Sequence, residues 1–206
     1  MGFGLCALGY LCLMLEHVGL DFLGYVLICR GFYGVFAELK DYRGYRVAYI
    51  AAAVALPFSL FNLYSLLTGY TSLPELPGVA VAVKGVALSV AAVVCAFAHS
   101  NSTASIARDG GASFFSLRAK ATGYLTALYM ALKIGASFSG ADGSLAAVIV
   151  LGQFVVLFLN GWLCFTCFTT ITTKSRARQE AELIKQESEE IIRKKRFRDE
   201  EKEDDR

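Results

Sequence analysis

Four apolar stretches, residues 45–69, 78–99, 122–137 and 145–173, leave only short polar connections between them. A bilayer core about 30 Å thick needs about 20 apolar residues per helix, and the first, second and fourth of these stretches meet that length. The stretch at 122–137 reaches it only by taking in Ala119 to Ala121 or Phe138. Backbone amides inside lipid must bond internally, so a chain of this kind crosses as helices. The average agrees: at 55% hydrophobic residues and a mean hydropathy of +0.50, the chain is too apolar for one soluble domain. The expected fold is therefore all-α, a polytopic transmembrane helical bundle over residues 1–173 with four clear spans and a first span before them, followed by a charged, soluble C-terminal helix over residues 174–206.

The charges are partitioned. The tail from Lys174 holds 11 basic and 11 acidic residues, against 9 and 7 in everything before it. The expected loop from Glu38 to Arg46 carries Lys40, Arg43 and Arg46, and the expected loop from Ser100 to Lys120 carries Arg108, Arg118 and Lys120. The alternate connections carry only Glu75 and Asp142. This asymmetry puts the basic connections and the tail on the cytoplasmic side, or the matrix side of an organellar inner membrane. An endomembrane or an organellar inner membrane is the expected location. Asn101-Ser102-Thr103 is a glycosylation acceptor on that same side, expected to stay unmodified; a glycan there would invert the topology.

The first 37 residues fit two arrangements, because Glu16, His17, Asp21 and Arg30 interrupt an otherwise apolar run. In the preferred one, Phe3 to Cys29 is a tilted fifth span whose charges face the bundle interior. In the other, the run before Glu16 is a short re-entrant or interfacial piece. No Lys or Arg precedes the run, so a removable signal peptide is not expected.

Close backbone approach and polar contacts, not hydrophobicity, hold helices together in lipid. Gly123, Ala127, Ala131 and Gly135 recur every four residues and form one smooth ridge for helix packing. Gln153, Asn160 and Cys167, seven apart, place two amides and a thiol on one face, where interhelical hydrogen bonds are the plain expectation and a solute site the sharper one.

Glu16, His17 and Asp21 form the sharpest constellation: His17 and Asp21 are four apart on one helical face, with Glu16 beside it, as a proton or cation path requires. At a membrane interface the same groups would simply be hydrated. Lys84 and Lys133 fall inside apolar stretches on the non-basic side. Their stems can snorkel to the headgroups, with Glu75 or Asp142 as partners; the alternative is a shared anion site. His17 and His99 do not share a depth, so haem is not expected. Cys164 and Cys167 have redox spacing but stand in an apolar helix, where packing thiols explain all six cysteines. No phosphate loop, nucleophile elbow or metal-binding histidine pair occurs, so the chain is not expected to be an enzyme, and no metal or cofactor is implied.

In the tail, Leu183, Ile184, Ile191 and Ile192 give a narrow apolar stripe, too short for a confident coiled coil and suited to docking a soluble partner or anionic headgroups. The basic block from Arg193 to Arg198 is followed at once by acidic residues, which argues against nucleic acid. The function expected first is an accessory or scaffold subunit of a larger membrane protein complex, with other membrane subunits or a second copy as partners. The alternatives are a small ion or solute transporter or channel using Glu16, His17 and Asp21 with Lys84, Gln153 and Asn160, and a vesicle-trafficking adaptor that depends on the tail.

Overall fold

The computed structural model describes residues 2–15, 19–68, 78–139 and 147–170. Within them the chain forms six helices and no strand: α1 (Phe3–Met14), α2 (Asp21–Glu38), α3 (Gly44–Thr68), α4 (Gly78–Asp109), α5 (Ser113–Ser139) and α6 (Ala147–Thr170). Three of these, α3, α4 and α6, are long and apolar enough to cross a membrane. Met1–Phe168 is one compact unit. The second unit, from Thr169, lies outside the described residues except for its first two positions, and so do Leu183, Ile184, Ile191 and Ile192.

Residues 3–29 do not form one span. Helix α1 stops at Met14, Gly19 adopts a left-handed φ of 77°, and α2 begins afresh at Asp21. The two helices lie antiparallel because glycines meet at two levels. Gly2 sits against Gly31, while a Cβ on Gly9 would lie 2.6 Å from Ile28 Cγ1 and 2.7 Å from the Gly24 carbonyl oxygen. Both pairs are seven residues apart along their helices, so only glycine there lets the backbones touch. The tilted fifth span is thus replaced by a helical hairpin, closer to the second arrangement.

The polar segment from Ser100 to Lys120 is also not a loop. Helix α4 runs on to Asp109 and α5 starts at Ser113, leaving three connecting residues. Gly111, at φ 75°, ends α4 in a Schellman cap: its N–H bonds the Arg108 carbonyl at 2.9 Å and the Ala112 N–H bonds that of Ala107 at 2.7 Å. The hydroxyls that suggested a loop are instead buried helix–helix contacts, among them Ser100, Ser102, Thr103 and Ser116. At 32 residues α4 is roughly 48 Å long, more than a bilayer core.

One end of the bundle is knitted by Tyr45. Its ring is fully buried against Phe3 and Phe32, and its hydroxyl meets Thr103 Oγ1 at 3.0 Å. Beside it, Tyr42 OH donates to Asp109 at 2.7 Å, joining the α2–α3 connection to the end of α4. The basic connections therefore share an end with the first residues of α1. Helix α6 packs on α1 through Gly161, which faces Tyr10, and on α5 through Gly152, which faces Tyr129. The small-residue ridge of α5 divides: Gly123 is buried against Ser100 of α4, Ala127 is half-buried, and Ala131 and Gly135 face outward.

Candidate functional site

Helices α1, α2, α4, α5 and α6 line a partly open cavity of about 240 Å³. Its apolar wall comes from Leu13, Ile28, Leu88, Met130, Val156 and Leu157. Charged and polar groups from four helices break that wall: Asp21 and Tyr25 of α2, Lys84 and Ser89 of α4, Thr126 and Lys133 of α5, and Gln153 and Asn160 of α6. Asp21, in the first turn of α2, is only 2% exposed. The break between α1 and α2 is what puts it there. In one continuous helix it would stand mid-span, whereas in the hairpin it starts the second arm and reaches the space beside α4 to α6.

The polar residues are held by one another. Lys133 Nζ donates to Gln153 Oε1 at 2.7 Å, and Tyr129 OH donates to the Ile149 carbonyl at 2.9 Å beside it. Asn160 is 1% exposed and fully used: Nδ2 donates to Thr126 Oγ1 and to the Val156 carbonyl, each at 2.8 Å. Its Oδ1 can only accept, so His99 Nε2, 3.0 Å away, carries the donated proton. That tautomer leaves Nδ1 of His99 as an acceptor, buried and without a hydrogen-bond partner among the described residues. The imidazole lies between Phe32 and Tyr10, with centroids 5.4 and 6.1 Å away. The Thr126 hydroxyl in turn donates to the Thr122 carbonyl at 2.8 Å. A chain of hydrogen bonds thus ties α4, α5 and α6 together along the cavity's inner wall.

Of the residues singled out in the sequence, Asp21, Lys84, Lys133, Gln153 and Asn160 line this one cavity, while Glu16 and His17 lie outside the described residues. Gln153, Asn160 and Cys167 do share an inward face, Cys167 Sγ approaching Thr103 Oγ1 at 3.8 Å. Lys84 and Lys133 are half-buried at the cavity; Glu75 and Asp142, their expected partners, lie outside the described residues. Sequence reasoning missed Tyr10, Tyr25, Ser89 and Thr126, since single hydroxyls and aromatics are common in apolar helices and give no signal. Cys164 meets Cys6 of α1, and the six cysteines are free thiols. Among the described residues no group of three His, Cys, Asp or Glu side chains is placed to hold a metal ion.

The cavity offers two ammonium groups and one carboxylate in a mostly apolar space. No protein family, curated protein or solved structure matches this chain.

Proposed function

We propose that this protein is a non-enzymatic, multi-pass membrane protein that binds a small solute in the cavity between α2, α4, α5 and α6 and moves it across the bilayer. The observation that carries this reading is that buried Asp21 and half-buried Lys84 and Lys133 line one pocket between the helices. Ionisable side chains at membrane depth are costly, and they recur where a solute or ion passes. In this reading α5 is a fourth crossing beside α3, α4 and α6, and the α1–α2 hairpin enters from the basic side and supplies Asp21 from its tip. The basic connections and the charged tail face the cytoplasm or matrix.

The test is thermal unfolding of the purified protein in detergent against a panel of small metabolites. A ligand at one hundred times its Kd adds about 2.7 kcal/mol of stability, an easily measured rise in melting temperature. At least one compound is expected to raise the melting temperature of the natural chain but not of Ser89→Phe, which fills the cavity. A panel that shifts neither protein would sink the reading.

The second reading is an accessory subunit of a larger membrane complex. It is supported by Ala131 and Gly135, the outward half of the α5 ridge, where a Cβ on Gly135 would meet nothing within 4 Å. Extraction in mild detergent and measurement of particle mass separates the two, since stoichiometric partner chains favour the accessory role.

A further inference from the structure

We infer that the outer surface of α2 and α3 holds the phosphodiester of a bilayer phospholipid, gripped by Arg30 and the hydroxyls of Tyr33 and Tyr49 in the leaflet next to the basic connections. The inference needs the bundle to stand in a bilayer and is independent of what the cavity binds.

The three side chains stand together on the outside of the bundle. The Arg30 guanidinium lies over the Tyr33 ring, 5.9 Å from its centroid, and the Tyr33 ring lies 5.7 Å from that of Tyr49 across the α2–α3 interface. Arg30 and Tyr33 are exposed and Tyr49 is half-buried. Positions three apart share a helix face, which is how α2 supplies both the cation and the ring beneath it.

Their donors are unspent. Among the described residues no carboxylate pairs with Arg30, and no acceptor takes the hydroxyl of Tyr33 or Tyr49. A cation over a ring is held by its charge and keeps its N–H groups free. An exposed arginine at membrane depth is costly unless something outside the chain takes that charge. The guanidinium fork matches two oxygens of a phosphate, and each phenol adds one O–H.

The depth fits a headgroup. Phe32 meets His99, with ring centroids 5.4 Å apart, and Tyr45 meets Thr103, so Tyr33 and Tyr49 stand level with the turn of α4 that carries His99. The outward residues change character at this level. Val90, Val94 and Phe97 of α4 are exposed on one side of it, and Ser105 and Arg108 on the other. On α3, exposed Arg43 and Arg46 give way to Val47, Ile50 and Val54. Such a change marks the edge of the hydrocarbon, where tyrosine rings sit at the headgroups. Arg30 is rooted less than a turn farther in, within the reach of a snorkelling stem. A free phosphate would use the same donors, but only a lipid brings acyl chains for the apolar surface of Ile50 and Val54 just below.

The test is native mass spectrometry of the full-length protein, stripped of lipid in detergent and titrated with dioleoyl phosphatidylglycerol, dioleoyl phosphatidylcholine or dioleoylglycerol. The three share their acyl chains, and the last lacks the phosphate. Both phospholipids are expected to bind one to one, and dioleoylglycerol several-fold more weakly. Arg30→Gln should weaken both phospholipids by about tenfold, the scale of one charge-assisted hydrogen bond. Arg30→Lys keeps the charge without the fork and should lose less. Tyr33→Phe combined with Tyr49→Phe keeps the rings and should also weaken both phospholipids, by a smaller factor. Arg108→Gln removes an exposed cation at the end of α4 and should change nothing. Melting temperatures of the lipid-free variants separate lost recognition from lost folding, and the double tyrosine variant carries the test if Arg30→Gln unfolds. Equal phospholipid binding by the natural chain and these variants would overturn the inference. An equal loss in Arg108→Gln would overturn it too, since the lipid would then answer to the general charge of the basic end. So would dioleoylglycerol binding as tightly as the phospholipids, which would leave acyl-chain contact alone. The cavity is tested separately by the metabolite panel.

Discussion

At the scale of single residues, Asn160 has the most to lose. Replacing it with Leu strips His99 Nε2 and Thr126 Oγ1 of their partner inside a buried interface. Asn160→Leu is expected to cost about 1–2 kcal/mol, between the modest average of membrane hydrogen bonds and the larger penalty of an orphaned buried donor. Reversible unfolding in SDS measures it. His99→Leu combined with Asn160→Leu should cost less than the sum of the two single changes, because the orphan disappears with its ring. Tyr42 makes a different kind of bond, exposed and outside the spans. Donation to the Asp109 carboxylate raises its phenol above the usual tyrosine range. A raised folded-state value means the tie between connections is intact below the ordinary tyrosine pKa, about 10, and is lost as pH rises through the raised one. The ultraviolet titrations of the natural chain and of Tyr42→Phe should differ by one phenol that ionises above the ordinary tyrosine range.

At the scale of elements, the α1–α2 hairpin depends on backbones in contact. Gly9→Val drives a branched side chain into Ile28 and the Gly24 carbonyl and is expected to cost about 1–3 kcal/mol or to part the helices. Gly135→Ala meets open space and should leave the melting temperature unchanged. Loss of stability in both would mean that glycine matters here for reasons other than close approach. The hairpin also marks where sequence reasoning fell short. Helix α3 is within a residue of its expected bounds and α6 within a few, because long uniform apolar runs have few other solutions in lipid. Helices α4 and α5 overran theirs because Ser100, Ser102, Thr103 and Ser116 resemble a loop by composition yet serve as small polar contacts in a helix interface. The glycines at 2, 9, 24 and 31 carried the signal for the hairpin, but their spacing gains meaning only when the two halves are set antiparallel. At the site, Asp21, Lys84, Gln153 and Asn160 stood out as polar groups in apolar stretches. That they line one cavity depends on the hairpin and on the packing of four helices, which no local pattern records.

At the scale of the whole molecule, the break before Asp21 changes which end of the bundle the chain starts from. Phe3 lies 5.6 Å from Tyr45, Tyr45 reaches Thr103 of α4, and Tyr42 reaches Asp109. The start of α1 and both basic connections therefore sit at one end, whereas a single span over residues 3–29 would put the start at the opposite end. The acceptor sequence at Asn101 does not decide between them: it lies within α4, with Ser102 and Thr103 buried and the Thr103 hydroxyl engaged by Tyr45, so it should stay unmodified in either orientation. Labelling decides it. A protease-cleavable tag fused ahead of Met1, together with Asp41→Cys and Arg108→Cys at exposed positions of the two basic connections, can be probed in sealed vesicles with protease and a membrane-impermeant maleimide. The native thiols of Cys6, Cys95, Cys164 and Cys167 are buried and should contribute little background. All three probes are expected to be accessible together or protected together. A tag that is cleaved while both cysteines are protected, or the reverse, would mean that α1 and α2 straighten into one span in the bilayer. Asp21 would then leave the cavity for mid-span, away from Lys84 and Lys133.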